Sequence, residues 1–563
     1  MARRVCFVFF TAAVLASALI CEPTCAQSGP VKSVPTVTPT VAPQAAPPVA
    51  PPVAPPVAPA STTANYDTLD RYQTVLRTLM EGVRSDKDGT QHAALAALRQ
   101  LRDPALGPLF ERLINSEDWS LRVDCVLGLA ELSASGKVDI ARVEQLPGEA
   151  DREAAINAVI ALKLVDSAQV KAMLAWSDLP SSQRVILAGE LRRLGEAPDS
   201  ALLIRLASSK TPEVAGLAVG ILLDLKAVQA AQLAAKSREQ IAALAPATRS
   251  AVIAQIAEAC SVDGLVGAGP YIASLLTLPE LNEENRQRTL GSLLVLSPTD
   301  AYPALAAAVI ADRSTQSLLR YGSVLLASGA RAPAAEWARF RSSAEARDEV
   351  LDAIADAGSA LTDGDFTNAY AKLVATERRS VLRGALDGAH RIGPTADRAF
   401  GLACLALIMK PGPTPPQVSD TLLLSLFRLA ELEPGELRGP LATDSLDPPT
   451  QDALLMALLN AGTPAAAEVA RTIQGRASRT GEGQIAVLVA RNSPSITPSE
   501  LEELMRVAGG GVNVAFPVRT QAAWLWLRHS KKINDAIAMI APDTSTTPVD
   551  KTQVEKSQLE KTQ

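Results

Sequence analysis

The sequence has few aromatic residues and no excess of basic residues. Phe, Trp and Tyr make up 4% of the 563 residues, whereas apolar residues as a class make up 47%. The core must therefore be built from Ala, Leu, Val and Ile, which suits closely packed helices better than sandwiches or barrels. The formal net charge is −6 at pH 7, and a chain without a basic footprint is not expected to bind nucleic acid.

Histidine is too scarce and too dispersed to indicate a metal site. His92, His390 and His529 have no second His or Cys three or four residues away, the spacing that zinc sites use on a helix. No nucleophile elbow, Ser-x-x-Lys pair or P-loop is present, and the Gly-rich residues 264–269 lack the Lys-Ser/Thr that ends a phosphate loop. The sequence therefore predicts no catalytic residues, no metal and no cofactor.

Cysteine does not indicate a disulfide framework. Three of the six cysteines lie in the first 26 residues, and Cys125, Cys260 and Cys404 remain. Three thiols cannot pair completely within one chain. Each is flanked by Ala, Val or Leu in a helical pattern, so we expect three buried thiols.

The one long apolar run is at the N-terminus and reads as a secretory signal. Residues 3–4 are basic, residues 5–20 are apolar, and small residues precede a cleavage site between Ala26 and Gln27. We expect residues 1–26 to be a signal peptide and the mature chain to be periplasmic or secreted, with no membrane span. Two alternatives are an uncleaved N-terminal anchor, because a run of 16 apolar residues falls just short of the roughly 17–25 that span a bilayer, and lipid attachment at Cys21.

The two segments that flank the main part of the chain are predicted to be unstructured. Residues 27–65 form a spacer rich in Pro, Val, Ala and Thr, whose consecutive prolines exclude helix and favour extended polyproline II. A ligand for a proline-reading domain is the alternative function of this segment. Residues 542–563 are polar and are predicted to be a disordered tail.

Residues 66–541 consist of repeated helices. Similar apolar helices begin at Thr90, Leu121, Glu153, Gln183 and Glu213, which are 30 to 32 residues apart. A second, shorter helix fits between successive members, for example over residues 105–114 and 200–207, and N-cap pairs such as Asp103-Pro104 and Thr211-Pro212 mark helix starts. A single hairpin cannot bury its own apolar faces and must stack on its neighbours. The sequence thus predicts an all-α fold, an α-solenoid of about 14 hairpins.

Residues 118–129, DWSLRVDCVLGL, and residues 211–225 resemble the HEAT-like repeats of bacteria, the short type named after phycobilisome lyases. The resemblance implies a HEAT-like superhelix, and because that family is mostly associated with protein interaction, it implies a protein or peptide partner. Our leading hypothesis is an exported, noncatalytic scaffold of the cell envelope. The binding residues are unknown, and the less regular repeats after Leu225 are where we expect them.

The rival hypothesis is an envelope polysaccharide hydrolase or lyase on a helical scaffold. It would use carboxylates such as Glu280, Glu283 and Glu284 or Glu500, Glu502 and Glu503 together with aromatic residues that stack on sugars. Helix starts exposed to solvent are the other interpretation of these glutamates. Trp524 and Trp526 are two apart on one helix, so we expect that both cannot face the core. The arginines at 378, 379, 383 and 391 are expected to form a solvated face.

Overall fold

A computed structural model describes residues 63–84, 88–115, 119–301, 303, 315–329, 334–343, 349–410, 420–443, 446–510 and 514–541. All regular secondary structure in these segments is helical, with no strand. The all-α prediction is therefore confirmed. The predicted signal peptide, its Ala26–Gln27 cleavage site, nearly all of the spacer and the C-terminal tail lie outside the described residues.

The helices of the first half are, in chain order, α1 Thr63–Val83, α2 Asp88–Gln100, α3 Gly107–Leu113, α4 Trp119–Leu132, α5 Ile140–Glu144, α6 Glu149–Ala161, α7 Ser167–Leu174, α8 Ser181–Arg193, α9 Ser200–Ala207, α10 Pro212–Asp224, α11 Ala230–Ala242, α12 Pro246–Val262, α13 Gly269–Leu276 and α14 Glu283–Leu296. Short 3-10 helices, Pro104–Leu106 and Val266–Ala268, precede α3 and α13.

The helices of the second half are α15 Thr315–Ala327, α16 Ala334–Ser343, α17 Glu349–Asp363, α18 Phe366–Ala375, α19 Arg379–Ile392, α20 Pro394–Ile408, α21 Asp420–Leu432, α22 Arg438–Leu441, α23 Pro448–Ala461, α24 Pro464–Arg471, α25 Arg479–Asn492, α26 Pro498–Ala508, α27 Phe516–His529 and α28 Ile533–Ile540. A 3-10 helix, Pro434–Leu437, precedes α22.

Side-chain caps fix many of the helix starts. Thr497 accepts a hydrogen bond from the Glu500 backbone while the Glu500 side chain accepts one from the Thr497 backbone, which completes a capping box. Asp103 accepts from Ala105 N at 3.1 Å. Thr211 occupies the N-cap position of α10, but its side chain makes no capping hydrogen bond, so there the helix start rests on Pro212 alone.

In two long stretches of the chain, each longer helix packs on the next longer helix. Contacts run from α2 through α4, α6, α8, α10 and α12 to α14, and from α21 through α23 and α25 to α27. Ion pairs about 30 residues apart join neighbouring units, as in Arg122–Asp151 at 2.9 Å and Arg288–Glu258 at 2.8 Å. These pairs are separated by about as many residues as one repeating unit contains. The period seen in the sequence is therefore also seen in these ion pairs between helices.

Helices α15 and α19 approach each other unusually closely. A Cβ atom added at Gly384 would lie 2.4 Å from the Ser323 carbonyl oxygen, and one added at Gly388 would lie 2.0 Å from the Leu326 carbonyl oxygen. The two glycines are one helical turn apart on the same face of α19. Their lack of side chains is what allows the two backbones to meet.

The last helices that the structure describes pack against the first. Helices α26, α27 and α28 contact α1, and α27 also contacts α2, so that the series of helix contacts returns to its start. Thr78 donates to the Ala508 carbonyl at 2.9 Å, Arg84 to the Ile540 carbonyl at 2.9 Å, and Gln521 to the Ala97 carbonyl at 2.9 Å. We call the surface between α1–α3 and α26–α28 the seam.

The seam explains why the expectation for Trp524 and Trp526 is wrong. Both side chains are buried, with 0% and 4% of their surface exposed. Helix α27 is covered by α25 and α26 on one side and by α1 and α2 on the other. A helix enclosed on both sides buries residues two apart, whereas the one-sided packing of a terminal helix would not.

Candidate functional site

The three histidines lie apart and each has its own local partner. His92 Nδ1 lies 2.7 Å from Asp124 Oδ2, and His390 Nδ1 lies 3.0 Å from Asp397 Oδ2. His529 Nε2 donates to the Ala490 carbonyl at 3.0 Å. In the parts of the chain that the structure describes, no group of three or more His, Cys, Asp or Glu side chains has the geometry of a metal site.

The three cysteines are buried and unpaired, as the sequence predicted. Burial raises the pKa of the Cys404 thiol to about 12, and it raises the pKa of Cys125 and Cys260 well above the ordinary value. Thiols held in the neutral form are poor nucleophiles and poor metal ligands. Their role in the described fold is to fill the core.

The glutamates that a polysaccharide-cleaving enzyme would use make local contacts at helix starts. Glu283 accepts from Gln287 at 2.8 Å in the first turn of α14, and Glu500 closes the capping box of α26. Glu502 pairs with Arg71 at 3.5 Å across the seam, and Glu503 pairs with Arg506. Glu280 and Glu284 are exposed.

Three of the five tryptophans are not available to stack on sugars. Trp337, Trp524 and Trp526 are buried in the core. Their rings pack against protein, for example Trp337 edge-on against Phe340. The expected solvated face is present: Arg378, Arg379, Arg383 and Arg391 are all exposed.

Two adjoining loops display apolar side chains to solvent. Val228 follows α10 and is 99% exposed, while Val262 and Val266 flank the turn after α12 and are 60% and 58% exposed. The loops adjoin because Gly267 N donates to Asp224 Oδ1 at 3.0 Å. Five large apolar side chains are exposed in the described residues: these three valines, Leu432 and Met539. We call them the valine patch.

An acidic pair lies at the C-terminal ends of α8 and α12, close to the valine patch. Glu190 is almost fully buried and accepts a hydrogen bond from Arg193 at 2.5 Å. The Asp263 carboxylate lies against Gly189, since a Cβ added to this glycine would be 2.0 Å from Asp263 Oδ2. Burial, and next the charge of Glu190, raise the pKa of Asp263 to about 7. This carboxyl group therefore changes its charge near neutral pH.

At the seam, a buried carboxylate joins the two ends of the chain. Asp103, 5% exposed, follows α2 and accepts from Trp524 Nε1 at 3.0 Å. Arg528 Nε lies 3.7 Å from the same carboxylate. A charged group in this position is stabilised only with these partners in place. The first and last helices of the described fold thus share a buried charged contact in addition to the hydrogen bonds to backbone carbonyls across the seam.

The loops beside Asp103 carry a concentration of positive charge. Four segments at the ends of helices adjoin there: residues 100–104, 460–463, 490–496 and 528–532. Gln100 and Asn460 border one depression, and His529 contacts Ala490. We call these four segments the basic edge. It contains five basic residues, Arg102, Arg491, Arg528, Lys531 and Lys532, and its one acidic residue is Asp103. In a chain of net charge −6 this is a local reversal of sign.

Sequence reasoning missed the basic edge and the seam. In both features, residues near the first described helices meet residues more than 350 positions later in the chain, and no local pattern reveals which helix ends meet. The available signal was indirect: the α27 segment, FPVRTQAAWLWLRH, is apolar on more than one face, which is typical of a helix enclosed on both sides.

Comparison with known proteins gives no relative. No family model, no curated protein and no solved structure matches the chain. Of the helices that the structure describes, none combines the length and the apolar character needed to cross a membrane.

Proposed function

We propose that the chain is an exported, noncatalytic scaffold of the cell envelope that binds a protein or peptide partner. In this proposal the helices form an α-solenoid of about 14 HEAT-like hairpins whose two ends meet at the seam. The observation that carries it is the succession of neighbour contacts from α2 to α14 and from α21 to α27, together with the return of α27 to α1 and α2. Such frames are suited to presenting an extended binding surface.

The valine patch is the part of this frame that best fits a partner. Exposed apolar side chains that adjoin one another mark interaction sites more often than chance exposure does. The patch follows α10 and α12, in the region after Leu225 where the repeats lose their regular spacing. The partner would bury Val228, Val262 and Val266 under an apolar surface of its own.

Site-specific photocrosslinking in cells tests the partner proposal. A photoreactive amino acid in place of Val266 is expected to give one discrete adduct, whose partner mass spectrometry then identifies. The matched control carries the same amino acid in place of Glu280, an exposed residue in the loop between α13 and α14. Equal adduct patterns at the two positions, or none at either, would contradict a specific surface at the valine patch.

A turnover assay separates the scaffold from its rival. Purified protein incubated with peptidoglycan and with envelope polysaccharides is expected to release no fragments. Release of fragments that the variants Glu283→Gln or Glu500→Gln abolish would establish the hydrolase or lyase instead.

Sequencing of the N-terminus tests export. Cleavage predicts a chain that begins at Gln27 in the periplasmic or secreted fraction. A chain that keeps Met1 in the membrane fraction would establish the anchor, and a lipid on Cys21 would establish lipid attachment.

A further inference from the structure

A small depression with an excess of negative charge lies between α6 and the segment that joins α7 to α8. Its charged residues are three carboxylates, Glu149, Glu153 and Asp178, and one guanidinium, that of Arg152. Arg152 pairs with Asp178 at 2.7 Å, so two negative charges remain without a countercharge. The space in the depression, including solvent at its mouth, is about 250 Å³. We call it the acidic depression.

The two remaining carboxylates lie on one face of α6. Glu149 and Glu153 are four residues apart and both are exposed, and within the described residues neither pairs with a cationic side chain. Like charges at this spacing destabilise a helix. The positive end of the helix dipole offsets this for Glu149 in the first turn, but the effect fades before Glu153. A cation bound between the two carboxylates would remove their repulsion.

A buried amide with an unsatisfied acceptor lines the same depression. Gln183, in the first turn of α8, is 1% exposed, and its Nε2 donates to Glu153 Oε1 at 3.1 Å. Its Oε1 is shut off from solvent and accepts no hydrogen bond, which costs free energy. Both residues of this hydrogen bond line the depression. A rotation of the Gln183 side chain would therefore bring the free oxygen to a donor bound beside Glu153.

An aromatic ring forms another part of the lining. Trp176 follows α7, is only partly buried, and packs on the core that α4 to α8 share while it also lines the depression. Arg184 fixes the backbone there, because its Nη2 donates to the Trp176 carbonyl at 2.7 Å. Of the aromatic side chains, tryptophan attracts cations most strongly through the face of its ring. The carboxylates, the amide oxygen and the ring all favour a positively charged ligand.

The size of the depression and the arrangement of its groups narrow the class of cation. Within the described residues, no three carboxylate, His or Cys side chains are arranged as metal ligands. The depression is also smaller than the roughly 300–1,000 Å³ of pockets that enclose drug-sized ligands. A single basic side chain fits better, since its apolar stem can lie against an aromatic ring while its charged end reaches the carboxylates.

We propose that the acidic depression binds the charged end of a lysine or arginine side chain in a basic peptide segment. The ammonium or guanidinium group would donate hydrogen bonds to Glu149 and Glu153, and the stem of the side chain would pack on Trp176. The site goes beyond the proposed function, because it lies on α6 to α8 and not at the valine patch. It would bind a basic side chain whether or not the valine patch has a partner.

Fluorescence anisotropy of a labelled tetralysine peptide, titrated with the purified full chain, tests the site. The wild type is expected to bind this peptide but not the same peptide with all four side-chain amines acetylated, which keeps the stems and removes the charge. The double variant Glu149→Gln, Glu153→Gln is expected to weaken binding about tenfold, the effect of losing a charge-assisted hydrogen bond. Trp176→Leu is expected to weaken it about two- to fivefold, through loss of the cation–π contact.

The choice of variants separates the site from loss of the fold and from general attraction to an acidic protein. The amide introduced by Glu153→Gln can still accept from Gln183, so the double variant is expected to unfold thermally at the wild-type temperature or above. The matched control is the double variant Glu283→Gln, Glu284→Gln, which removes the same charge from exposed residues in the first turn of α14. It is expected to bind tetralysine as the wild type does.

A labelled tetra-arginine peptide distinguishes the two basic side chains. Binding of either peptide that depends on Glu149 and Glu153 supports the site, and the tighter of the two identifies the side chain that it prefers. The proposal is overturned if the acetylated peptide binds as tightly as tetralysine, if the two double variants lose the same affinity, or if neither basic peptide binds.

Discussion

Asp103 and Trp524 form a polar contact between residues 421 positions apart. Replacing Trp524 with Phe keeps most of the apolar ring but removes the donor to a buried carboxylate, so we expect a loss of about 1–3 kcal/mol in the free energy of unfolding beyond the loss of ring volume. Trp337→Phe is the matched control, because Trp337 is buried yet its Nε1 donates to no acceptor within the described residues. Denaturant unfolding of both variants measures the difference, and equal losses would show that the contact with Asp103 contributes nothing.

Asp263 gives stability a dependence on pH. Its pKa is raised to about 7 in the folded chain, chiefly by burial and then by the charge of Glu190, whereas an unfolded Asp titrates near 3.9. The folded state therefore holds the proton more strongly, and this contribution to stability is present below about pH 4 and is lost as the pH rises to about 7.

The variant Asp263→Asn tests this pH dependence. Because the amide cannot ionise, the stability of the variant relative to the wild type is expected to rise from pH 5 to pH 8. Glu190→Gln removes the negative charge beside Asp263 and is expected to make the stability of the folded chain depend less on pH. Urea unfolding at the two pH values measures both effects. A constant difference between Asp263→Asn and the wild type would mean that Asp263 titrates normally.

At the scale of the helices, glycine decides how closely α15 and α19 pack. Gly388→Ala places a Cβ 2.0 Å from the Leu326 carbonyl. A backbone atom cannot move aside as a side chain can, so we expect a loss of about 1–3 kcal/mol in the free energy of unfolding. Gly291→Ala on α14, where an added Cβ meets nothing within 4 Å, is expected to stabilise by about 0.5–1 kcal/mol. Thermal unfolding compares the two, and a stabilising Gly388→Ala would contradict the close approach.

Helices were predictable from the sequence because their signal is local. The apolar stripe from Val214 to Leu225 repeats every three or four residues, and it lies on α10. The shorter helix predicted over residues 200–207 coincides with α9. Thr211 shows the limit of such reasoning: its type and position fit an N-cap, but whether its hydroxyl makes the bond depends on a rotamer that the sequence does not specify.

Contacts between distant helices were not predictable in the same way. Gln521 donates to the Ala97 carbonyl across 424 residues, and nothing in either segment indicates the other. The apolar face of α1 requires a partner, but periodicity does not say which helix supplies it. The basic edge was missed for the same reason, since its segments come together only when the last helices pack on the first.

At the scale of the whole molecule, the seam makes the first helices depend on the last. Helix α28 buries Ile537 and Ile540, and its end accepts hydrogen bonds from Arg84 in α1 and, through the Ala541 carbonyl, from Arg112 in α3. A chain that ends at Lys532 lacks α28 and these acceptors. Because local opening depends on the contacts that each segment makes, amide exchange in α1 and α3 is expected to become faster.

Hydrogen exchange measured by mass spectrometry tests this dependence against a matched control, a chain that ends at Ala541 and keeps α28. The helices α10 and α12, which lie outside the seam, are expected to exchange equally slowly in both chains. Unchanged exchange in α1 and α3 would show that α28 does not hold them. An equal acceleration in α10 and α12 would show instead that the helical fold opens as one unit, so that the first helices do not depend locally on the last.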